Sequence, residues 1–318
     1  MNNTSVHAIK RNVVLQKHEL WYWILSIHLS FLSVAGNSAV IYIIWSTAKL
    51  QTKQNAFIIS LAVADLCVGL FITPTGLICT YFERCEIQLQ VVFYNFLLLA
   101  SMTSLIIMTL DRYIAVIYPM KYNVLVTKVT TALLIALAWI FAFFISFIRL
   151  AWLYADLDAL KRNDRVYRLV TNLTMGLLPC LIVLFAFAKI FLAVRGQYSR
   201  QESQRMQVAF NHSTATCTSV LEQESPRVNH RKNNTHKHRK NSSVRVLGGI
   251  VILFVFCYSF NLAISFCEDY DLCKVSDNFR DVSMIFIYIN SSVNFIVYAF
   301  LKREFHQTLN LRFRSLRL

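Results

Sequence analysis

The chain has 318 residues, 56% of them hydrophobic and 15% charged, with seven Gly, four Pro and a mean hydropathy of +0.48. Soluble domains carry about 45–50% apolar and about 25% charged residues, so this composition excludes an ordinary soluble protein and points to the membrane. A formal net charge of +15 would suggest nucleic acid in a soluble chain; here membrane topology and anionic inner-leaflet lipid account for it, and no nucleic-acid partner is expected.

Residues 1–19 are polar and lack the apolar core and small-residue cleavage site of a signal peptide, and they carry sequons at Asn2 and Asn3. Seven apolar stretches follow, over 20–46, 55–80, 88–114, 131–154, 168–194, 245–267 and 281–301. Each can cross a hydrocarbon core of roughly 30 Å as a helix, and the ten-residue alternation of a membrane barrel is absent. The expected fold is an all-α membrane protein, a seven-transmembrane helix bundle over 20–301. Segment 195–244, basic and rich in Ser, Thr, Asn and His, reads as a disordered loop; its His230, His236 and His238 match no zinc spacing. In 302–318, Phe305, Leu309 and Phe313 fall at helical spacing among cations. That is the pattern of a short amphipathic helix lying on membrane lipid.

With residues 1–19 outside, the segments 47–54, 115–130, 195–244 and 302–318 lie on the inner side. They hold many Lys and Arg against only four acids, Glu202, Glu222, Glu224 and Glu304. The positive-inside tendency then predicts a multi-pass plasma-membrane protein with an extracellular N-terminus. Cys67, Cys79, Cys180 and Cys257 lie within spans and Cys217 in the basic loop, and these read as free thiols. Cys85, Cys267 and Cys273 are exofacial, where disulfides form; Cys267 and Cys273 are close enough to close a small loop, but three thiols allow three pairings.

No nucleophile–base series, metal spacing or phosphate loop is present, so no enzyme is expected. The ionisable groups inside the apolar stretches are few. Asp111 and Arg112 close the third span in "MTLDRYIAVIYPM", and Asp65 lies within the second in "SLAVADLCVGLF". Intramembrane charges are costly and mark function. Three other spans offer Asp65 small polar partners: Asn37, Ser101, and Asn290, Ser291 and Asn294 in "NSSVNFIVY". Together they suggest a hydrated polar core able to hold a cation.

"GN" in the first span, "SLAVAD" in the second, "DRY" closing the third, Trp139 in the fourth and Pro179 in the fifth together resemble the class A, rhodopsin-like G protein-coupled receptors over roughly 20–314. The resemblance implies a receptor that binds an extracellular ligand and activates a heterotrimeric G protein. Arg112 would meet the G protein, Asp111 would hold it at rest, Tyr113 completes the motif, and Pro119 and Tyr298 belong to the same coupling end. It also implies an allosteric sodium ion at Asp65 with Ser101, Asn290, Ser291 and Asn294, and no other cofactor.

The sequence departs from that family at several switches. Cys257-Tyr258-Ser259-Phe260 and Asn294-Phe295-Ile296-Val297-Tyr298 lack the prolines usual in the sixth and seventh spans. Phe187 replaces a tyrosine that commonly bridges to Tyr298. Lys240 stands where an acid often pairs with the DRY arginine, which predicts raised basal activity. These losses motivate an alternative reading: a receptor-like membrane protein with lost or constitutive signalling, acting as a partner of other receptors. A channel or transporter is disfavoured by the lack of repeated halves.

The second span is amine-like, and the short cysteine-free second extracellular loop is weakly similar to melanocortin receptors. Yet Tyr94 stands where amine receptors place their Asp, Tyr288 where opsins carry the retinal Lys, and Thr75 and Val91 where melanocortin receptors place acids. A biogenic amine or retinal is therefore not expected. Tyr94, Asn95, Tyr258, Phe260 and Tyr288 would line an aromatic, weakly polar pocket for an unknown ligand. Glu268, Asp269, Asp271, Asp277 and Asp281 at its mouth read as a solvated acidic loop.

Overall fold

The computed structural model of the chain describes residues 18–81, 85–152, 157–216, 251–270 and 272–301. All regular structure among them is helical. Helix α1 is Leu20–Ser46, α2 is Lys53–Tyr81, α3 is Ile87–Ile117 and α4 is Lys128–Trp152. Helix α5 comprises Leu157–Asn172, a wide turn Leu173–Leu177, and Leu178–Thr216; α6 is Val251–Asp269 and α7 is Asp277–Leu301. The first six are long and apolar enough to cross a membrane. The seventh, of 25 residues, packs along α1.

The bundle is apolar outside and partly polar inside, the reverse of a soluble core. Helix α4 makes the point. Leu133, Leu137, Phe141, Phe144 and Ile148, spaced every three or four residues, are exposed on one face. Thr131, Ala138, Ala142 and Ser146 are buried on the other. Without water to drive association, small residues let helices approach, and α4 lies against α3 through this small-residue face. Trp139 Nε1 reaches across to Ser60 Oγ on α2 at 3.0 Å. Helix α3 is central, touching α2, α4 and α5.

Helices α2 and α4 start from threonine caps: Thr52 accepts from the Asn55 N–H and Thr127 from the Thr130 N–H. Both wide, π-type turns end two residues before a proline, Val68–Ile72 before Pro74 and Leu173–Leu177 before Pro179. Proline removes one helical donor and clashes with the carbonyl four residues back, and a widened turn relieves the clash. Inside a membrane the freed carbonyls need other donors. Ser30 of α1 donates to the Gly69 carbonyl, and Thr75 Oγ1 donates to Phe71 O at 2.5 Å. Helices α6 and α7, which lack proline, run unbroken.

Three features depart from expectation. Cys79, read as a free thiol within the second span, is bonded to Cys85. Helix α2 ends at Tyr81, so Cys79 sits in its last turn within reach of the following loop. Cys267 pairs with Cys273, which resolves the three alternatives, while Cys67, Cys180 and Cys257 remain free. The second departure is that residues 195–216, part of the loop read as disordered, continue α5 to Thr216. Gln, Glu, Arg, Met and Ala there are good helix formers, and no proline interrupts them. Residues 217–244 and 302–318, with the expected surface helix, lie outside the described residues.

The mouth acids are the third. The described ones are paired, and only Asp281 is buried: Asp281 with His18 at 2.6 Å, Glu268 and Asp277, both exposed, with Arg280 at 2.6 and 2.9 Å, and Asp269 with Arg168 at 2.6 Å. Asp271 is outside the described residues. Above the fifth span, Asp164 accepts a forked pair of bonds from Arg149, at 3.3 and 3.1 Å, and one from Trp152 Nε1 at 3.0 Å. Burial alone would raise the Asp164 carboxyl; the guanidinium and indole outweigh it and hold the carboxyl below its ordinary value. The clasp's contribution is therefore complete above an unfolded carboxyl value of about 4 and is lost as pH falls through the lower folded one.

The α1–α7 contact is tight at Gly36, where an added Cβ would lie 2.2 Å from the Phe295 ring. Gly36→Ala is expected to overpack this seam and cost about 1–3 kcal/mol. The check is the thermal denaturation midpoint in detergent; an unchanged midpoint would mean the ring moves aside freely.

Candidate ligand cavity, polar core and coupling end

A cavity of about 430 Å³ opens among α1, α2, α3 and α7. Tyr94, Asn95 and Tyr288 line it, as expected for the pocket. Tyr94 O–H donates to Met284 Sδ at 2.9 Å, Asn95 Nδ2 donates to the Tyr167 hydroxyl at 3.3 Å, and the Tyr22 and Tyr288 hydroxyls are 3.5 Å apart. Tyr258 is not among the lining residues. It is buried in the core against Phe254, ring centroids 4.8 Å apart, with its hydroxyl in reach of Asn290. Phe260 is elsewhere again, packed against Phe256 and Phe286 between α6 and α7. Residues two apart on a helix point about 200° apart, so positions 258 and 260 cannot share one cavity. The lining also includes residues of α1 that sequence reasoning did not single out, Tyr22, Trp23 and Ser26. Their only sequence signal is an aromatic cluster, "WYW", at the start of a span.

Below the cavity, Asp65 is fully buried. Ser101 O–H donates to its Oδ1 at 2.6 Å and Asn294 Nδ2 to its Oδ2 at 2.8 Å. Ser33 O–H donates to the Asp65 carbonyl at 2.9 Å, and Asn37 Nδ2 donates to Ser33 O at 2.9 Å and Ser291 O at 3.5 Å. Asn37 Oδ1 is buried without a hydrogen-bond partner, and the buried Ser291 hydroxyl is beside the Asp65 carboxyl. The four expected helices thus meet at one depth, while Asn290 turns to Tyr258. One carboxylate beside hydroxyl and amide oxygens is a donor set suited to a hard cation such as sodium.

At the far end of α3, Asp111 is buried and Arg112 half-buried. Arg112 Nε lies 3.7 Å from Asp111 Oδ2, and its Nη1 donates to Gln54 Oε1 at 3.1 Å. Its Nη2 is buried with no partner. Pro119 opens the short helix Pro119–Leu125, which turns the chain back so that the Tyr122 O–H donates to Asp111 Oδ1 at 2.7 Å. Burial and this carboxylate push the Tyr122 hydroxyl up to about 12, so it remains a donor at physiological pH. Lys53 Nζ donates to Val126 O at 2.6 Å and fastens the same loop to α2. Tyr113 stands between Tyr118 and Phe185, each centroid 6.4 Å away. Tyr298 lies on α7, and Lys240 is outside the described residues. Tyr122 and Gln54 were not visible as partners because each comes from a different segment.

Removing the Ser101 hydroxyl by Ser101→Ala leaves a buried carboxylate oxygen without its donor. It is expected to cost about 1–3 kcal/mol, read as a lower denaturation midpoint, whereas Ser101→Thr, which keeps the hydroxyl, should retain most of it.

Residues 36–298 match the profile of the family described as 7 transmembrane receptor (rhodopsin family). The chain is 29% identical over 315 residues to the histamine H2 receptor of Cavia porcellus, covering 92% of this chain and 80% of that one. It is 27% identical over 321 residues to the adenosine receptor A2a of Homo sapiens, covering 92% and 72%, and 28% identical over 327 residues to the adenosine receptor A2b of Bos taurus, covering 93% and 90%. A family match across most of the chain, on a bundle of apolar-faced helices, leaves one conclusion: this chain belongs to the rhodopsin family of seven-transmembrane receptors.

Proposed function

We propose that the chain is a plasma-membrane receptor, N-terminus outside, that binds an extracellular ligand and activates a heterotrimeric G protein. The observation that carries this reading is the Arg112 guanidinium. It is held on one side by Asp111 and Gln54 and keeps one buried nitrogen unpartnered at the inner end of the bundle. A polar group left so is costly and calls for a partner that arrives later. The Tyr122–Asp111 bond braces the resting arrangement, with Pro119, Tyr113 and Tyr298 at the same end. The pattern of 302–318 supports a surface helix and that of 195–244 a cytoplasmic loop carrying Lys240, both by sequence alone and, for 217–244 and 302–318, outside the described residues.

The polar core supports an allosteric sodium ion held by Asp65, Ser101 and Ser291, with Asn294 and Asn290 adjoining. The ion would add charge to offset the buried carboxylate in the resting state. For the ligand, the relatives are named for histamine, an ammonium, and adenosine, which is uncharged. Tyr94 in place of an acid, and a cavity with no Asp or Glu among the described residues of its lining, favour the uncharged class. A second reading, a receptor-like partner of other receptors with lost or constitutive signalling, draws on the unbroken α6 and α7, which have no proline hinge.

Nucleotide exchange on purified heterotrimeric G proteins decides between these readings. The leading one expects exchange above background that Arg112→Ala abolishes; exchange that is absent, or indifferent to Arg112→Ala, would favour the partner reading. Tyr122→Phe deletes a bond to a charged acceptor worth about 1.5–3 kcal/mol and is expected to raise basal exchange severalfold. Sodium should lower agonist affinity in the parent chain and have no effect in Asp65→Asn.

A further inference from the structure

Helix α5 carries a cation that the described residues leave without a counter-charge. Lys189 lies inside the apolar run 168–194 and is exposed. No Asp or Glu occurs between Arg168 and Gln201, and Lys189 makes no ion pair among the described residues. The acid of the adjoining helix α3, Asp111, is buried and accepts from Tyr122. Around Lys189 the helix shows an apolar outer face of Leu181, Leu184, Phe185 and Leu192, all exposed. Charged side chains within a span almost always turn inward to a partner. This one faces the membrane.

Its ammonium is held over the Phe185 ring, 5.6 Å from the centroid. Helical side chains lean toward the N-terminus, so Lys189 folds back over the turn before it, along the membrane-facing surface. Phe185 lies against Tyr113, and Tyr113 against Tyr118, each pair of centroids 6.4 Å apart. Helix α3 ends at Ile117, four residues after Tyr113, and Lys189 is four residues after Phe185. Lys189 therefore stands level with the last turn of α3, at the rim of the hydrocarbon. The Tyr113 and Tyr118 hydroxyls have no hydrogen-bond partner among the described residues. An ammonium offers three donors and no acceptor, and a phenol can add one more, a set that fits phosphate oxygens. The next cation along α5, Arg195, is six residues on and turned about 120° away.

We propose that this rim between α3 and α5 binds an anionic phospholipid, Lys189 meeting the headgroup phosphate and the exposed Phe185, Leu184 and Leu192 side chains meeting the acyl chains. Lipid necessarily covers a membrane-facing surface, so the choice lies in the headgroup. A zwitterionic headgroup brings its own cation to its phosphate, whereas an anionic one leaves a net charge for Lys189 to answer. The tyrosine hydroxyls flank the same phosphate as neutral donors. On the receptor reading the leaflet concerned is the inner one, where anionic lipid is concentrated. The bound lipid abuts Tyr113, the residue after Arg112, and so borders the coupling end.

The test is native mass spectrometry of the full chain in detergent, with phosphatidylserine or phosphatidylcholine added and the lipid retained on the protein measured. Phosphatidylserine should be retained at lower concentration than phosphatidylcholine. Other basic segments also attract anionic lipid, so variants locate the site. Lys189→Gln should raise the concentration for half-retention of phosphatidylserine about fivefold, the effect of one cation near an anionic headgroup. Lys189→Arg, which keeps the charge, should hold the parent value. Lys49→Gln removes an exposed cation just beyond the corresponding end of α1 and should leave retention near the parent value. Equal retention of the two lipids overturns the proposal. So does an equal loss in Lys189→Gln and Lys49→Gln, which would mean diffuse attraction only, or a loss in Lys189→Arg as large as in Lys189→Gln. Displacement of the lipid by inorganic phosphate would also overturn it, because the ligand would then be a soluble anion. Retention is read without a G protein, so its failure and the failure of nucleotide exchange are separate results.

Discussion

A carboxylate with no access to water sets the terms for the whole bundle. Asp65 on α2 is fully buried at mid-depth, where an unsatisfied charge would cost several kcal/mol. Its two oxygens are met by Ser101 of α3 and Asn294 of α7, and its backbone carbonyl by Ser33 of α1. Four helices are therefore fixed in depth and rotation by one group. The close approach of α1 to α7 at Gly36 follows from the same register, because the Asn37 amide beside it reaches the α7 backbone at Ser291.

The two proline-bearing helices, α2 and α5, each carry a wide turn, and α6 and α7, which lack proline, do not. In α2 the wide turn before Pro74 shifts the phase of everything above it, and the Cys79–Cys85 bond ties that shifted end to the following loop. Cys79 also lines the outer cavity, so the same device that relieves a backbone clash shapes a wall of the binding space. Helix α6, straight through the Cys257–Phe260 stretch, buries Tyr258 in the packed core and turns Phe260 toward α7. The open volume is left on the α1–α2 side.

The two ends of the molecule handle charge differently. At the cavity end, Asp269 is paired with Arg168, Asp281 with His18, and Glu268 and Asp277 share Arg280, which ties α5 to α6 and the chain before α1 to α7. Such pairs contribute little individually at a wet surface. At the opposite end, Asp111 is braced by Tyr122 and Arg112 is only partly engaged.

Sequence by itself determined the number of spans, because a run of apolar residues long enough to cross hydrocarbon has few alternatives to a helix. It also singled out Asp65 with Asn37, Ser101, Ser291 and Asn294, because small polar residues recur at one depth of several spans, whereas Asn290 turned to Tyr258 and Ser33 had not been singled out. Tertiary structure decided what depends on helical phase and on chain reversal. The Cys79–Cys85 bond, the Tyr122 brace on Asp111, the pairing of the mouth acids and the separation of Tyr258 from Phe260 all need knowledge of which way a helix faces and where a loop returns. Residues 195–216 were a different kind of miss: a polar stretch composed like a loop was carried on as helix by its own good helix formers, extending one already nucleated in the membrane. Periodicity and composition are local properties and can be read along the chain, whereas the meeting of side chains from separate segments exists only once the bundle has closed.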